Sequence, residues 1–136
     1  MTLLSLTISD VEIGQELPPL DIVLTRTLIT ATAIASRDYQ EVHHDPSIAV
    51  ERGSQDIIMN ILTTNGFVGR YITDWAGPNT FIKSVKVRLG VPNYPGETMK
   101  MRGKITAASG NDVTVVVTGS NSMGDHVTAT VEIVLP

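Results

Sequence analysis

Residues 55–75 read QDIIMNILTTNGFVGRYITDW, and what this stretch forms decides what the rest of the chain can be. Ile57, Ile58, Ile61, Leu62, Val68, Tyr71, Ile72 and Trp75 recur at helical spacing over more than one stripe, so one long, largely enclosed helix is expected. Ser54 stands where an N-cap is wanted, and Asp56 suits the positive end of the helix dipole. Gly66 and Gly69 interrupt the pattern at up to ~1 kcal/mol each relative to alanine, a cost that close approach by a neighbouring element would explain. Gly77-Pro78 ends the run.

Beyond that break the period changes from helical to two. Val85, Val87 and Leu89 oppose Ser84, Lys86 and Arg88; Met99, Met101 and Ile105 oppose Lys100, Arg102 and Lys104. Val113, Val115 and Val117 then oppose Thr114 and Thr118, and Val127, Ala129, Val131, Ile133 and Leu135 oppose Thr128, Thr130 and Glu132. Four half-buried strands are predicted, connected by turn chemistry at residues 92–96, 109–112 and 124–125. Before the long helix, Leu20, Ile22 and Leu24 share one face of a further strand. Residues 28–37 suit a short helix through Leu28, Ala31 and Ala35, with Thr32 and Ile34 beside them. A second short helix follows, with Asp45 as N-cap, Pro46 at its first position and Gly53 past its end. The fold class expected is α+β, an antiparallel sheet wrapped around one long central helix in the hot-dog arrangement. A ferredoxin-like sandwich, the main rival, wants two helices of similar length.

With 136 residues the chain is expected to form a single domain, residues 1–136. It is 42% apolar and 18% charged, so disorder is excluded, and the low charged fraction hints at a large buried interface. Having no cysteine, it has no thiolate nucleophile, disulfide or cysteine-based metal site. A net charge of −4 argues against nucleic-acid binding. The absence of a leader pattern or a run of ~18 apolar residues points to a soluble, cytoplasmic protein without membrane contact.

Between the two short helices lies Arg37-Asp-Tyr-Gln-Glu-Val-His-His-Asp45. Asp38 and His43 sit there in a loop that a scaffold can present to a cavity. A carboxylate with an ordinary value near ~3.9 accepts a proton at neutral pH, and an imidazole accepts or donates one, so the pair suits the activation of water. Against this stands a plainer reading in which Asp38 caps the second helix and His43 makes an ordinary hydrogen bond. His43-His44-Asp45 lacks metal-site spacing, with His126 the only further histidine, and no metal is expected. Lys83, Lys86, Arg88, Lys100, Arg102 and Lys104 fall on two successive predicted strands. They read as the solvated face of an edge hairpin, or as a patch attracting acyl-carrier phosphates.

Asp38-Tyr-Gln-Glu-Val-His43 followed by Ala49 and Gly53 resembles the motif of the MaoC-like, (R)-specific enoyl-CoA hydratases, and Pro92-Asn-Tyr-Pro-Gly96-Glu97 is similar to a turn of that family. The resemblance covers nearly the whole chain. It implies a hot-dog enoyl-CoA hydratase in which Asp38 and His43 are catalytic and backbone N–H groups of Ile61 and Leu62 form an oxyanion hole. Asn60, Arg37 and Arg88 are the residues expected to bind substrate. No cofactor is implied, since coenzyme A is part of the acyl-CoA substrate. Gln40-Glu41 and Asn60-Ile61-Leu62 depart from the usual Asn-Pro and His-Gly-Met, and the Ile61 side chain would crowd a thioester that a glycine lets pass. Those departures, with residues 53–57, 73–78 and 124–130, resemble the family's small-subunit branch in bacterial steroid side-chain degradation. That likeness implies a second MaoC-like hot-dog subunit, in a heterodimer or heterotetramer, that makes room for the steroid rings, and a downstream aldolase as a further partner. Two rival functions are a hot-dog thioesterase using a carboxylate such as Asp56, and a non-catalytic interaction subunit.

Overall fold

In the computed structural model, which describes residues 3–136, each alternating run becomes a strand: β1 (Leu20–Val23), β2 (Phe81–Leu89), β3 (Thr98–Ser109), β4 (Asp112–Asn121) and β5 (Gly124–Val134). Period-two patterning puts Met99, Met101 and Ile105, Val113, Val115 and Val117, and Val127, Ala129, Val131 and Ile133 on one buried face. Across it lies helix α3 (Ile61–Ala76), which buries Thr64, Val68, Tyr71, Ile72 and Ala76. Two shorter helices, α1 (Arg26–Ala35) and α2 (Pro46–Glu51), precede it. This is an α+β hot-dog fold. No helix among the described residues is long and apolar enough to cross a membrane.

The strand order β1-β3-β4-β5-β2 corrects the expectation of an edge hairpin carrying the basic residues. β2 pairs with β5, and β3 lies between β1 and β4. Residues 90–97 make the crossing. Their start is tied to β5, where Gly90 N–H donates to the His126 carbonyl (2.7 Å) and Val91 N–H to that of Asp125 (3.0 Å). Their end is tied beside β1, where Leu24 N–H donates to Glu97 (2.9 Å) and Gly96 N–H to Leu24 (2.8 Å). Lys86 and Arg88 therefore stand three strands away from Lys100, Arg102 and Lys104. Of this set, Arg102 pairs with Asp21 and Lys83 with Asp112.

The long helix also begins later than residue 55, at Ile61, with Asn60 and not Ser54 as its cap. Residues 56–59 spend their backbone groups elsewhere. Ile57 N–H goes to the carboxylate of Asp56, which also holds Arg26; Ile58 N–H goes to the Val42 carbonyl (3.0 Å) and Met59 N–H to that of Asn93 (3.1 Å). Nor is α3 enclosed all round. Ile61 and Leu62 remain 47% and 48% exposed, and a Cβ at Gly66 or Gly69 would meet nothing within 4 Å, so no described neighbour explains either glycine. α1 turns Ile29 and Ala33 inward, leaving Ala31 and Ala35 exposed, the reverse of the expected face.

A Cβ at Gly90 would lie 2.2 Å from the Asp125 carbonyl oxygen, a backbone atom that cannot rotate aside. Gly90→Ala should lower the unfolding free energy by about 1–3 kcal/mol through forced separation of β2 and β5. Urea denaturation measures this, and an unchanged midpoint would show that the crossing yields without cost.

Candidate active site

Two cap arrangements bring the loop between α1 and α2 into shape. Thr25 Oγ1 accepts from Leu28 N–H (3.0 Å) to start α1, and Asp45 accepts from Ser47 N–H (3.0 Å) and Ile48 N–H (3.3 Å) to start α2. α1 stops because Arg37 adopts a left-handed conformation, φ 59°, uncommon for a residue bearing a Cβ. That reversal turns Asp38 back, its N–H donating to the Ala33 carbonyl (2.9 Å). A single 3₁₀ turn, Glu41–His43, then points the imidazole inward, where it is 8% exposed. Asp38 does not cap α2; Asp45 does.

The two side chains meet, with Asp38 Oδ2 3.2 Å from His43 Nε2. His43 Nδ1 lies 2.7 Å from the Ile58 carbonyl oxygen. A carbonyl only accepts, so Nδ1 carries the hydrogen and Nε2 is the nitrogen turned to the carboxylate. Asn60 Nδ2 donates to the same Asp38 Oδ2 (3.1 Å) and to Ser36 Oγ (2.9 Å). The Asn60 amide, ahead of every other influence, holds the Asp38 carboxyl below the ordinary aspartate value; burial opposes it, and Gln40 N–H and the His43 ring add to it. Asp38 is thus an ionised acceptor facing an imidazole nitrogen.

Asn60 has a second task. Its Oδ1 accepts from Thr63 N–H (3.1 Å) and from the Thr63 hydroxyl, closing the first turn of α3. Asn60 is 2% exposed, and every hydrogen-bonding position of its amide is occupied by this chain. Ile61 and Leu62 follow it as the first residues of the helix, and their N–H groups donate to nothing among the described residues. Beside them, Thr32, Ala35, Ser36, Leu62, Thr63, Gly66, Phe67 and Arg70 line a mostly apolar groove of about 360 Å³ between α1 and α3.

The remaining expected residues are not gathered here. Arg37 contributes its backbone bend, with its side chain exposed and in no ion pair among the described residues. Arg88 is exposed on β2 in register with Thr128, on the sheet face opposite α3, and so does not reach the Asp38–His43 pair. Asp56 is committed to Arg26 and to Ile57 N–H. Ser36 was not anticipated. The role of Asn60 was legible in principle, since asparagine three residues before a buried threonine is an N-cap pattern.

Comparison with known proteins places the chain in a family. The MaoC like domain model matches residues 10–127. The 3-oxo-4,17-pregnadiene-20-carboxyl-CoA hydratase beta subunit of Mycobacterium tuberculosis is 52% identical over 121 residues, 89% of this chain and 94% of that protein. A chain of the ChsH1-ChsH2 complex from Mycobacterium tuberculosis superimposes with a TM-score of 0.91 at 50% identity, over 92% of this chain and 98% of that one. The (R)-hydratase PhaJ1 of Pseudomonas aeruginosa shares the fold, with a TM-score of 0.90 at 19% identity over 99% and 89% of the two chains. With a family model spanning most of its length and a relative 52% identical over 121 residues, the chain belongs to the MaoC-like domain family.

Proposed function

We propose that this chain is the Asp/His-bearing subunit of a heteromeric enoyl-CoA hydratase, adding water across the α,β double bond of a steroid side-chain enoyl-CoA thioester. The observation that carries the reading is the 3.2 Å approach of Asp38 to His43 beside a helix start with two uncommitted N–H groups. Likeness to the hydratase beta subunit supports the substrate class.

Hydration forms a C–O bond at the β carbon and leaves one water proton on the α carbon. Negative charge gathers meanwhile on the thioester oxygen. Ile61 and Leu62 N–H groups receive that oxygen, each such donor lowering a barrier by about 2.7 to 4 kcal/mol. Asp38 and His43 hold the water between them. Asp38 takes one proton of that water as the oxygen attacks and passes the same proton to the α carbon, while His43, with Nδ1 fixed by the Ile58 carbonyl, orients the water and assists the delivery by accepting its other O–H at Nε2. The acyl group leaves the site along the groove between α1 and α3, whose lining is mostly apolar.

A second MaoC-like hot-dog subunit completes the site. β2 is an edge strand with Phe81 66% and Leu89 43% exposed, and the outer face of α3 presents Ile61 and Leu62. The similar Mycobacterium tuberculosis chain is part of the ChsH1-ChsH2 complex, which supports a paired assembly. A downstream aldolase is a further partner, and the setting is cytoplasmic.

Co-purification with such a subunit, followed by mass analysis of products from steroid and short-chain enoyl-CoAs, should give a hydrated bulky product from the complex and little from the chain alone. Full activity on the bulky thioester from a homo-oligomer would remove the second subunit from the account. In the complex, Asp38→Asn and His43→Ala should each cut turnover by about 10² to 10⁴-fold with assembly intact; near-normal rates in both would end the site assignment. Because the folded-state value of Asp38 is depressed, its ionised form adds stability above the ordinary aspartate range, which is lost as pH falls through that depressed value. A carbon-13 titration should place Asp38 below its ordinary value and shift it upward in Asn60→Ala. If it does not shift, the amide is not what holds the charge.

A further inference from the structure

His126 is 3% exposed, lies at the start of β5 and takes no part in the chemistry above. Its Nδ1–H donates to the Val91 carbonyl (2.7 Å), which leaves Nε2 as the acceptor of the Thr64 hydroxyl (2.8 Å). Thr64 is one turn into α3, and its own N–H returns to the Asn60 carbonyl (3.3 Å). Two residues beyond Val91, the Asn93 carbonyl receives Met59 N–H (3.1 Å). One crossing loop thus holds α3 immediately before its cap and, through the imidazole, again just after it. Between these two points lie only Asn60, Ile61, Leu62 and Thr63.

We propose that His126 and Thr64 are positioning residues: their hydrogen bond sets where the Ile61 and Leu62 N–H groups lie relative to Asp38 and His43, and so governs the rate of hydration without touching substrate. The inference rests on the hydratase reading for its kinetic consequence and on geometry alone for the rest. Val91, Thr64 and His126 sit on three different elements, so the link fixes the helix start relative to the sheet, which the cap within α3 cannot do. The opposite flank is held by the catalytic loop, through His43 Nδ1–H to the Ile58 carbonyl and Ile58 N–H to that of Val42.

The test uses the assembled complex. Thr64→Val removes the hydroxyl at nearly constant shape, and Thr64→Ser keeps it. Thr64→Val should lower kcat by about 10-fold to 10²-fold, as expected of a small misplacement of donors. KM should stay within about twofold, since the loss is confined to the transition state. Thr64→Ser should recover most of the loss, and adding His126→Asn to Thr64→Val should lower kcat no further, because both break one link. Independently of any activity, the Ile61 and Leu62 amide resonances should move in Thr64→Val and not in Thr64→Ser. Unmoved amides would overturn the proposal whether or not the complex is a hydratase. Moved amides with an unchanged kcat in an active complex would overturn the kinetic claim alone, and a wild-type complex that hydrates no enoyl-CoA would count against the parent reading.

Discussion

One buried amide holds the site together. Asn60 donates through Nδ2 to Asp38 and Ser36 and accepts through Oδ1 from Thr63, so a single side chain both ends the preceding loop and orients the carboxylate. Desolvating an amide is costly unless its hydrogen bonds are replaced, and here they are replaced within the chain. The consequence is mechanical. The carboxylate and the first turn of α3 cannot move apart without leaving a buried polar atom unpaired, which costs about 1 to 3 kcal/mol. The Asp38 carboxylate and the Ile61 and Leu62 N–H groups are therefore parts of one rigid unit.

The same accounting explains the late helix start. Every backbone N–H from Ile57 to Met59 has a partner outside the helix: an aspartate, the loop that carries Asp38 and His43, and the crossing loop in turn. Had residues 55–60 been helical, Ile58 could not have fixed the tautomer of His43. What looks like a lost turn and a half of helix is the means by which residues 57–59 join Asp56, Val42 and Asn93, and by which the Ile58 carbonyl reaches the His43 imidazole.

How much of this the sequence disclosed follows from the range of each signal. The sheet faces were legible because alternation is local: Met99, Met101 and Ile105 against Lys100, Arg102 and Lys104 needs only neighbours two apart. Asp45, Pro46 and Gly53 marked α2 for the same reason. Strand order was not legible, since nothing inside β2 says that it pairs with β5, and the loop at residues 90–97 reads the same whether it turns back or crosses over. Asp38 and His43 were legible as a pair in one loop. The link from Asn60 to the carboxylate was not legible because its partners, Ser36 and Asp38, are 24 and 22 residues away. His126 offered no pattern at all, as one histidine in an alternating strand carries no information about a threonine 62 residues earlier.

The far end of α3 is moored as well. Leu6 N–H reaches the Ala76 carbonyl (2.8 Å), Asn79 N–H reaches Ser5 Oγ (2.9 Å), and Ile8 N–H ties that same N-terminal segment to Pro136 (2.8 Å). A rod clamped at both tips neither slides nor pivots to greet an incoming molecule. The shape of the groove is then set by side chains, Leu62 and Phe67 on the rod and Thr32 and Ala35 facing them from α1, while the backbone of the rod keeps one fixed dipole.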